Sequence, residues 1–357
     1  MMEKAMAWDI WTRNPFAWPL LTMEIWRRAL EEAAFPAPAP GVGPEWCTPN
    51  RLLLELNGLR LWDFSVSDAG APVLIVAPYA LHDAQLADLA PDHSIVQALL
   101  QNGCERLYLA EWKSATSETR LVGIDAQLAA LNVAVDDIGG PVDLIGPCQG
   151  GWFSLVYAAR FPHKIRRIVV AGAPIDLQAA CSALSEPVEK TTNHVIDRLI
   201  ESGGGIVKGE QMAPLWPRED CEERRLVDSL QLRPPFSSPP EQAAVVAFQR
   251  WDKRVVDLPG PYYREVFCRL FRENLLARGA FPALGKAANI CALDKPLFLL
   301  VGEHDTIAPP GQALAGADLV AGAVETAIAP CGHLALFMGR STIANEWPRI
   351  ASWLVEA

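Results

Sequence analysis

The sequence predicts an α/β fold: a mostly parallel central sheet with helices on both faces and a helical cap insertion. Two observations carry this. Short, near-continuous apolar runs alternate with helical stretches through the first half of the chain. A Pro-rich, irregular region then interrupts the alternation before it resumes near the C-terminus. Apolar runs of this kind fit parallel strands buried on both faces, and strand–helix alternation supplies the covering layers.

The elements follow in order. Residues 1–45 form a Trp-rich N-terminal segment and linker, with Trp8, Trp11, Phe16, Trp18 and Trp26 close together and a helix expected from Ile25 to Glu32. Its Pro36-to-Gly43 stretch is linker-like. The first part of the core spans residues 46–176. It opens with two strand-like runs around Asn57-Gly58, a strong hairpin signal. Apolar runs follow at Val73–Ala77, Arg106–Ala110, Val142–Gly146 and Ile165–Ala171, alternating with helical patterns at Ser94–Gln101, Ile124–Asp136 and Trp152–Arg160. Residues 177–290 hold helical pieces, a triple-Gly break and Pro-rich stretches, read as a cap or lid inserted over the sheet. The second part of the core, residues 291–357, brings strands at Pro296–Gly302 and Val324–Ile328 and a closing helix from about Thr342 to Val355.

Composition narrows the function. The 357-residue chain is 50% hydrophobic and 20% charged, with a formal net charge of -11. Lacking a clustered basic patch, it is not expected to bind nucleic acid. No apolar stretch approaches the ~20 residues of a membrane span, and Asp9, Arg13 and Pro15 interrupt any signal-peptide pattern, so a cytoplasmic location is expected. The eight cysteines, at 47, 104, 148, 181, 221, 268, 291 and 331, form no CxxC pair. Zinc-site spacing is therefore missing, no metal is expected, and most read as small buried hydrophobes.

Cys148 is the exception. Val142-Asp-Leu-Ile-Gly146-Pro147-Cys148-Gln149-Gly150-Gly151 reads as strand, sharp turn, then helix. This is the nucleophile-elbow pattern of the α/β-hydrolase fold, with Cys in the Ser position. Glycines flank the nucleophile because a Cβ two residues before or after it would clash in so tight a turn. The turn sets Cys148 at a helix N-terminus, where the positive end of the dipole favours thiolate, and aims the Gln149 N–H at a developing oxyanion. Asp305 follows a late strand, and Gly332-His333 follows the next, so nucleophile, acid and His come in the order of that fold. His333 is the expected base and Asp305 its orienter. Pro78 has no N–H, so Tyr79 or Ala80 is expected to give the second oxyanion donor. His82, Trp152 and Leu334 are expected to line the pocket. His304 should diverge from its neighbour Asp305, and Cys331 reads as packing.

The chain resembles the polyhydroxyalkanoate synthases, and among them the short, two-subunit type. Gly146-Pro-Cys-Gln-Gly-Gly151 resembles that family's Cys-containing box, and the run from Thr48 to Leu61 its opening hairpin. The run from Pro91 to Gly103 resembles the helix after its oxyanion loop. Asp257-Leu-Pro-Gly-Pro-Tyr-Tyr263 and Phe271-Arg-Glu-Asn resemble its cap, while Asp305-Thr-Ile-Ala-Pro and Gly332-His-Leu resemble its acid and His motifs. Pro147 and Glu111-Trp112 depart from its usual pattern. The resemblance implies acylation of Cys148 by a hydroxyacyl-CoA, with CoA as leaving group, and attack by a second hydroxyl to extend a polyester. It implies no metal or redox cofactor, a homodimer or helper subunit, and association with polyester granules. Gly311-Gln312 and the run from Gly332 to Arg340 resemble the intracellular polyhydroxyalkanoate depolymerases. A Cys-dependent depolymerase or thioesterase is therefore the alternative, followed by a non-catalytic relative that binds granules or a partner.

Overall fold

The structure is a computed structural model that describes residues 43–213 and 222–356. The Trp-rich stretch up to residue 42, with its expected helix, and Cys221 lie outside the described residues.

Eight strands form one sheet: β1 (Arg51–Glu55), β2 (Leu59–Asp63), β3 (Val73–Val76), β4 (Leu107–Trp112), β5 (Val142–Pro147), β6 (Ile165–Ala171), β7 (Leu297–Gly302) and β8 (Val324–Ala329). Their spatial order is β1-β2-β4-β3-β5-β6-β7-β8. The first two strands form the antiparallel hairpin around Asn57-Gly58, and every pairing from β4 to β8 is parallel. The central strands β3, β4, β5 and β7 are buried at every residue, which is why they read as unbroken apolar runs.

Alternation along β3 builds the two faces. Leu74 and Val76 point into one core with helices α2 (Ile124–Ile138) and α3 (Gln149–Arg160). Val73 and Ile75 point into the other, with α1 (Ile95–Gln101) and the C-terminal helix, here α6 (Arg340–Val355). Ser94 caps α1 by accepting from the Gln97 N–H. Asp88, fully buried, accepts from Thr48 N at 2.9 Å, Thr48 Oγ1 at 2.7 Å and Ser94 Oγ at 2.6 Å, tying the start of the described chain to this layer.

Between β6 and β7 lies the insertion, including α4 (Glu222–Leu230) and α5 (Pro239–Lys253). It is not wholly helical as expected. Ile206–Val207 pairs with Leu258–Pro259, and Phe281–Ala283 pairs with Lys286–Ala288, as two short ribbons. Runs of two or three residues leave too little pattern for a period to be read. The insertion is fastened beside the end of β3. Arg254 Nη1 binds Asp83 Oδ2 and Gln85 Oε1, both at 2.9 Å, and Val256 N donates to Leu81 O at 2.9 Å.

Asp143 on β5 is a buried acid at the opposite end of the sheet from the turn that carries Cys148. Burial pushes its carboxyl up to about 6, against the opposing charges of Arg166, 3.5 Å away, and Arg167. A carboxyl raised in the folded state above its unfolded value weakens the fold as pH rises from about 4 to about 6, and the cost is complete above that. Asp143→Asn should therefore raise stability by about 2–3 kcal/mol at pH 8 and hardly at all at pH 4. Urea unfolding at both values checks this; an equal effect at the two would refute it.

Candidate active site

Strand β5 runs straight into the turn that presents Cys148. The residue is held at φ 50°, ψ -128°, a positive-φ conformation that costs a side-chain-bearing residue about 1–3 kcal/mol. The surroundings enforce it. Cys148 N donates to Ala171 O at 2.8 Å, and its carbonyl accepts from Gly151 N at 2.9 Å. A Cβ at Gly146 would overlap the Gly150 carbonyl, and one at Gly150 would overlap the Val76 carbonyl oxygen at the end of β3. The first clash is the one expected from the turn. The second shows that Gly150 also lets β3 approach the start of α3.

Cys148 caps the N-terminus of α3 without a side-chain hydrogen bond, leaving its sulfur at the positive end of the helix dipole. His333, in the loop after β8, places Nε2 3.2 Å from Cys148 Sγ. Its Nδ1 lies 2.7 Å from Asp305 Oδ2, in the loop after β7. Asp305 Oδ1 accepts from Ile307 N and Ala308 N, each at 2.8 Å. One carboxylate oxygen thus forms the local turn while the other holds the imidazole. The Asp305 side chain is fully buried, and Phe337 packs edge-on against the His333 ring. Burial alone would disfavour the imidazolium, but the negative charges of Asp305 and Cys148 outweigh it and hold His333 well above its ordinary range.

Three other thiols are held in the protonated form. Burial, with help from Asp88, pushes Cys47 up to about 12; burial pushes Cys104 up to about 12 and Cys331 up to about 11. Cys47 donates to the Asp88 carboxylate at 2.9 Å, and Cys331 packs as expected, accepting from Thr342 Oγ1 at 3.6 Å. His304 is exposed and is not part of the cavity wall.

Above the sulfur lies a cavity of about 50 Å³, walled by Ala80, His82, Leu86, Arg225, Trp251 and Leu334 among others. His82 and Leu334 thus stand where the sequence places them. Trp152 does not. It is fully buried beneath α3 against Phe153 and Phe281, and its Nε1 donates to Gln149 Oε1 at 2.9 Å. One helical turn past the nucleophile, its ring faces the core. The Tyr79 side chain also turns inward, donating to Lys113 O at 2.9 Å, whereas Ala80 faces the cavity. Arg225, Trp251 and Leu86 were not anticipated. The first two come from the insertion, and no local motif shows how that segment folds back over the sheet. The Pro-Tyr-Tyr segment was noted only as part of a family resemblance.

The cavity is small, with room for a few waters. Its roof is pinned by Arg225 on α4, which donates to Asp252 at 2.7 Å. Arg225 thus stands at the cavity wall, where cutting its contact should ease the approach of a bulky reagent to Cys148. Arg225→Ala should speed labelling of Cys148 by a bulky pyrenyl maleimide several-fold, with little change for iodoacetamide. Equal acceleration of both reagents would show that the roof is not the barrier.

With this geometry in place, comparisons with known proteins are informative. The alpha/beta hydrolase fold family matches residues 137–339, more than half of the chain. The poly(3-hydroxyalkanoate) polymerase subunit PhaC of Haloferax mediterranei is 27% identical over 323 residues, covering 87% of this chain and 64% of its own length. The chain thus spans less than two thirds of that relative. The PhaC subunit of Synechocystis sp. is 26% identical over 341 residues, with coverage of 87% and 85% respectively. A thermophilic esterase from Thermogutta terrifontis aligns with a TM-score of 0.51 at 17% identity, over 87% of this chain and 99% of that one, a likeness of fold. The sheet order, the turn at Cys148 and the family match agree: the chain belongs to the alpha/beta hydrolase fold family and, within it, is similar to the PhaC subunits of poly(3-hydroxyalkanoate) polymerases.

Proposed function

We propose that this chain is a polyhydroxyalkanoate synthase-type acyltransferase that takes hydroxyacyl groups from hydroxyacyl-CoA and joins them into polyester. The observation that carries the reading is the Cys148–His333–Asp305 chain of contacts, at 3.2 and 2.7 Å, beside a small cavity. The similarity to PhaC subunits supports the choice of substrate.

In this reaction the Cys148 sulfur, its proton taken by His333, attacks the thioester carbonyl. The carbonyl oxygen becomes an oxyanion beside the Gln149 N–H. The intermediate collapses, the C–S bond to CoA breaks, and His333 returns the proton to the departing CoA sulfur. The hydroxyl of a second hydroxyacyl unit then gives its proton to His333 and attacks the acyl-cysteine. An ester bond forms, the Cys148–acyl bond breaks, and the sulfur is free again. Asp305 keeps Nδ1–H of His333 aligned and offsets its charge throughout. Thioesters suit this nucleophile because the leaving thiolate is itself stable. The balance closes with side chains and substrate alone, so the proposed reaction invokes neither a metal nor a redox cofactor. We place the activity in the cytoplasm at the surface of polyester granules, with a second copy or a helper subunit as partner. Among the described residues no helix is long and apolar enough to cross a membrane.

The test supplies purified protein with 3-hydroxybutyryl-CoA and follows thiol release together with the acyl product. Equimolar thiol release with growing insoluble polyester is the expected result; release with free hydroxy acid would make water the acceptor and overturn the synthase reading. Cys148→Ala should abolish release with an unchanged circular dichroism spectrum. Asp305→Asn should lower kcat on the order of 10³- to 10⁴-fold, because the imidazole loses its orientation and its countercharge. Retained turnover in either variant would refute the assigned roles.

A further inference from the structure

The loop after β3 is held by its carbonyls. Ala77 O accepts from Trp112 Nε1 at 2.9 Å, Tyr79 O from the Tyr262 hydroxyl at 3.2 Å, and Leu81 O from Val256 N at 2.9 Å. Trp112 belongs to β4, but Tyr262 and Val256 belong to the insertion. Tyr262 is buried, 3% exposed, and its ring lies 4.9 Å from that of Tyr79. No active-site role has yet been given to it.

Planar peptide geometry turns this contact into a direction. In a trans peptide the carbonyl of one residue and the N–H of the next point opposite ways. The Tyr79–Ala80 peptide is not among the cis bonds. Fixing the Tyr79 carbonyl on Tyr262 therefore fixes the Ala80 N–H on the far side of the same plane. Ala80 lines the cavity together with Cys148, and the missing Cβ of Gly150 brings the end of β3 against the first turn of α3, where the Gln149 N–H lies. Pro78 offers no N–H in competition.

We propose that Tyr262 is a positioning residue for oxyanion stabilisation: its hydroxyl, by holding the Tyr79 carbonyl, sets the Ala80 N–H to join the Gln149 N–H in binding the oxyanion formed from a thioester or ester carbonyl. This rests on the acyl-transfer reading of the site and selects Ala80 from the two candidates of the sequence. It also makes the insertion a contributor to the oxyanion site, in addition to its roof. Burial pushes the Tyr262 phenol well above its usual range, so it stays a donor at working pH.

The test is Tyr262→Phe in the full chain, which keeps the ring and removes only the hydroxyl. Acylation is followed as p-nitrophenol release from p-nitrophenyl butyrate. Alkylation of Cys148 by iodoacetamide, which forms no oxyanion, is read by peptide mass spectrometry because Cys181 and Cys291 are exposed. The expected result is a fall in kcat of about 10- to 100-fold with KM within about twofold, since part of a donor's effect is lost. The alkylation rate should be unchanged. The preference of the native protein for the oxygen ester over its thiono analogue should shrink by a similar factor. Unchanged ester kinetics, or no acylation of the native protein, would overturn the proposal. So would a parallel fall in alkylation or a loss of fold, either of which would make the hydroxyl structural. Acylation of the native protein by the nitrophenyl ester with no CoA release from 3-hydroxybutyryl-CoA would instead refute the synthase reading and leave Tyr262 in its role.

Discussion

The site depends on one close approach: the first turn of α3 against the end of β3, with no Cβ at Gly150 to hold them apart. That contact sets where the nucleophile stands relative to the loop after β3. It also fixes the turn in which Cys148 adopts its positive φ. A conformation costing about 1–3 kcal/mol persists only when its neighbours leave no alternative. Here the alternatives are closed by the Gly146–Gly150 contact, by the bond from Cys148 N to Ala171 O, and by two strands buried at every residue. The sheet is thus the jig in which the strained turn is held, and the energy stored at Cys148 is drawn from the burial of β3 and β5.

What could be read in advance follows from the range of the determinants. The turn at Cys148 is local: strand, glycines, nucleophile and helix lie within a dozen residues, so spacing alone reveals it. Asp305 and His333 each follow a strand of the same parallel sheet, and parallel strands deliver their following loops to the same edge. Their meeting could therefore be inferred from chain order although Cys148 and His333 are 185 residues apart. The walls of the cavity are a different matter. Arg225 and Trp251 lie on helices whose placement depends on contacts such as Arg254 with Asp83, between segments with no common pattern. Trp152 shows the complementary failure. Nearness in sequence to the nucleophile suggested the pocket, but position on α3 carried the ring into the core.

The electrostatics of the triad are also a consequence of order along the sheet. Asp305 is buried and could have been costly, yet both its oxygens are engaged, one by backbone N–H groups and the other by His333. A buried carboxylate with such partners stabilises a neighbouring positive charge more than water would. That is why His333 is held well above its ordinary range even though burial acts in the other direction. The sulfur gains from the same arrangement, since a charged imidazole and a helix N-terminus both face it. Cys104 and Cys331, equally enclosed but without such neighbours, are pushed toward the inert thiol.

In the proposed reaction the triad itself does not choose the acceptor. His333 removes a proton from a hydroxyl of water as readily as from that of a hydroxyacyl unit, and the acyl-cysteine presents the same carbonyl to both. Discrimination must therefore lie in what occupies the space above the sulfur. Leu86, Trp251 and Leu334 make part of that wall apolar, and the cavity is small. A second acyl unit that displaces water there gains the burial of its own chain against these side chains, while a water molecule gains nothing comparable. The insertion that supplies Trp251 also supplies Tyr262, which holds the loop after β3. Selection of a hydroxyl over water is then a property of the cavity wall rather than of the nucleophile, and the segment least legible in the sequence supplies part of that wall.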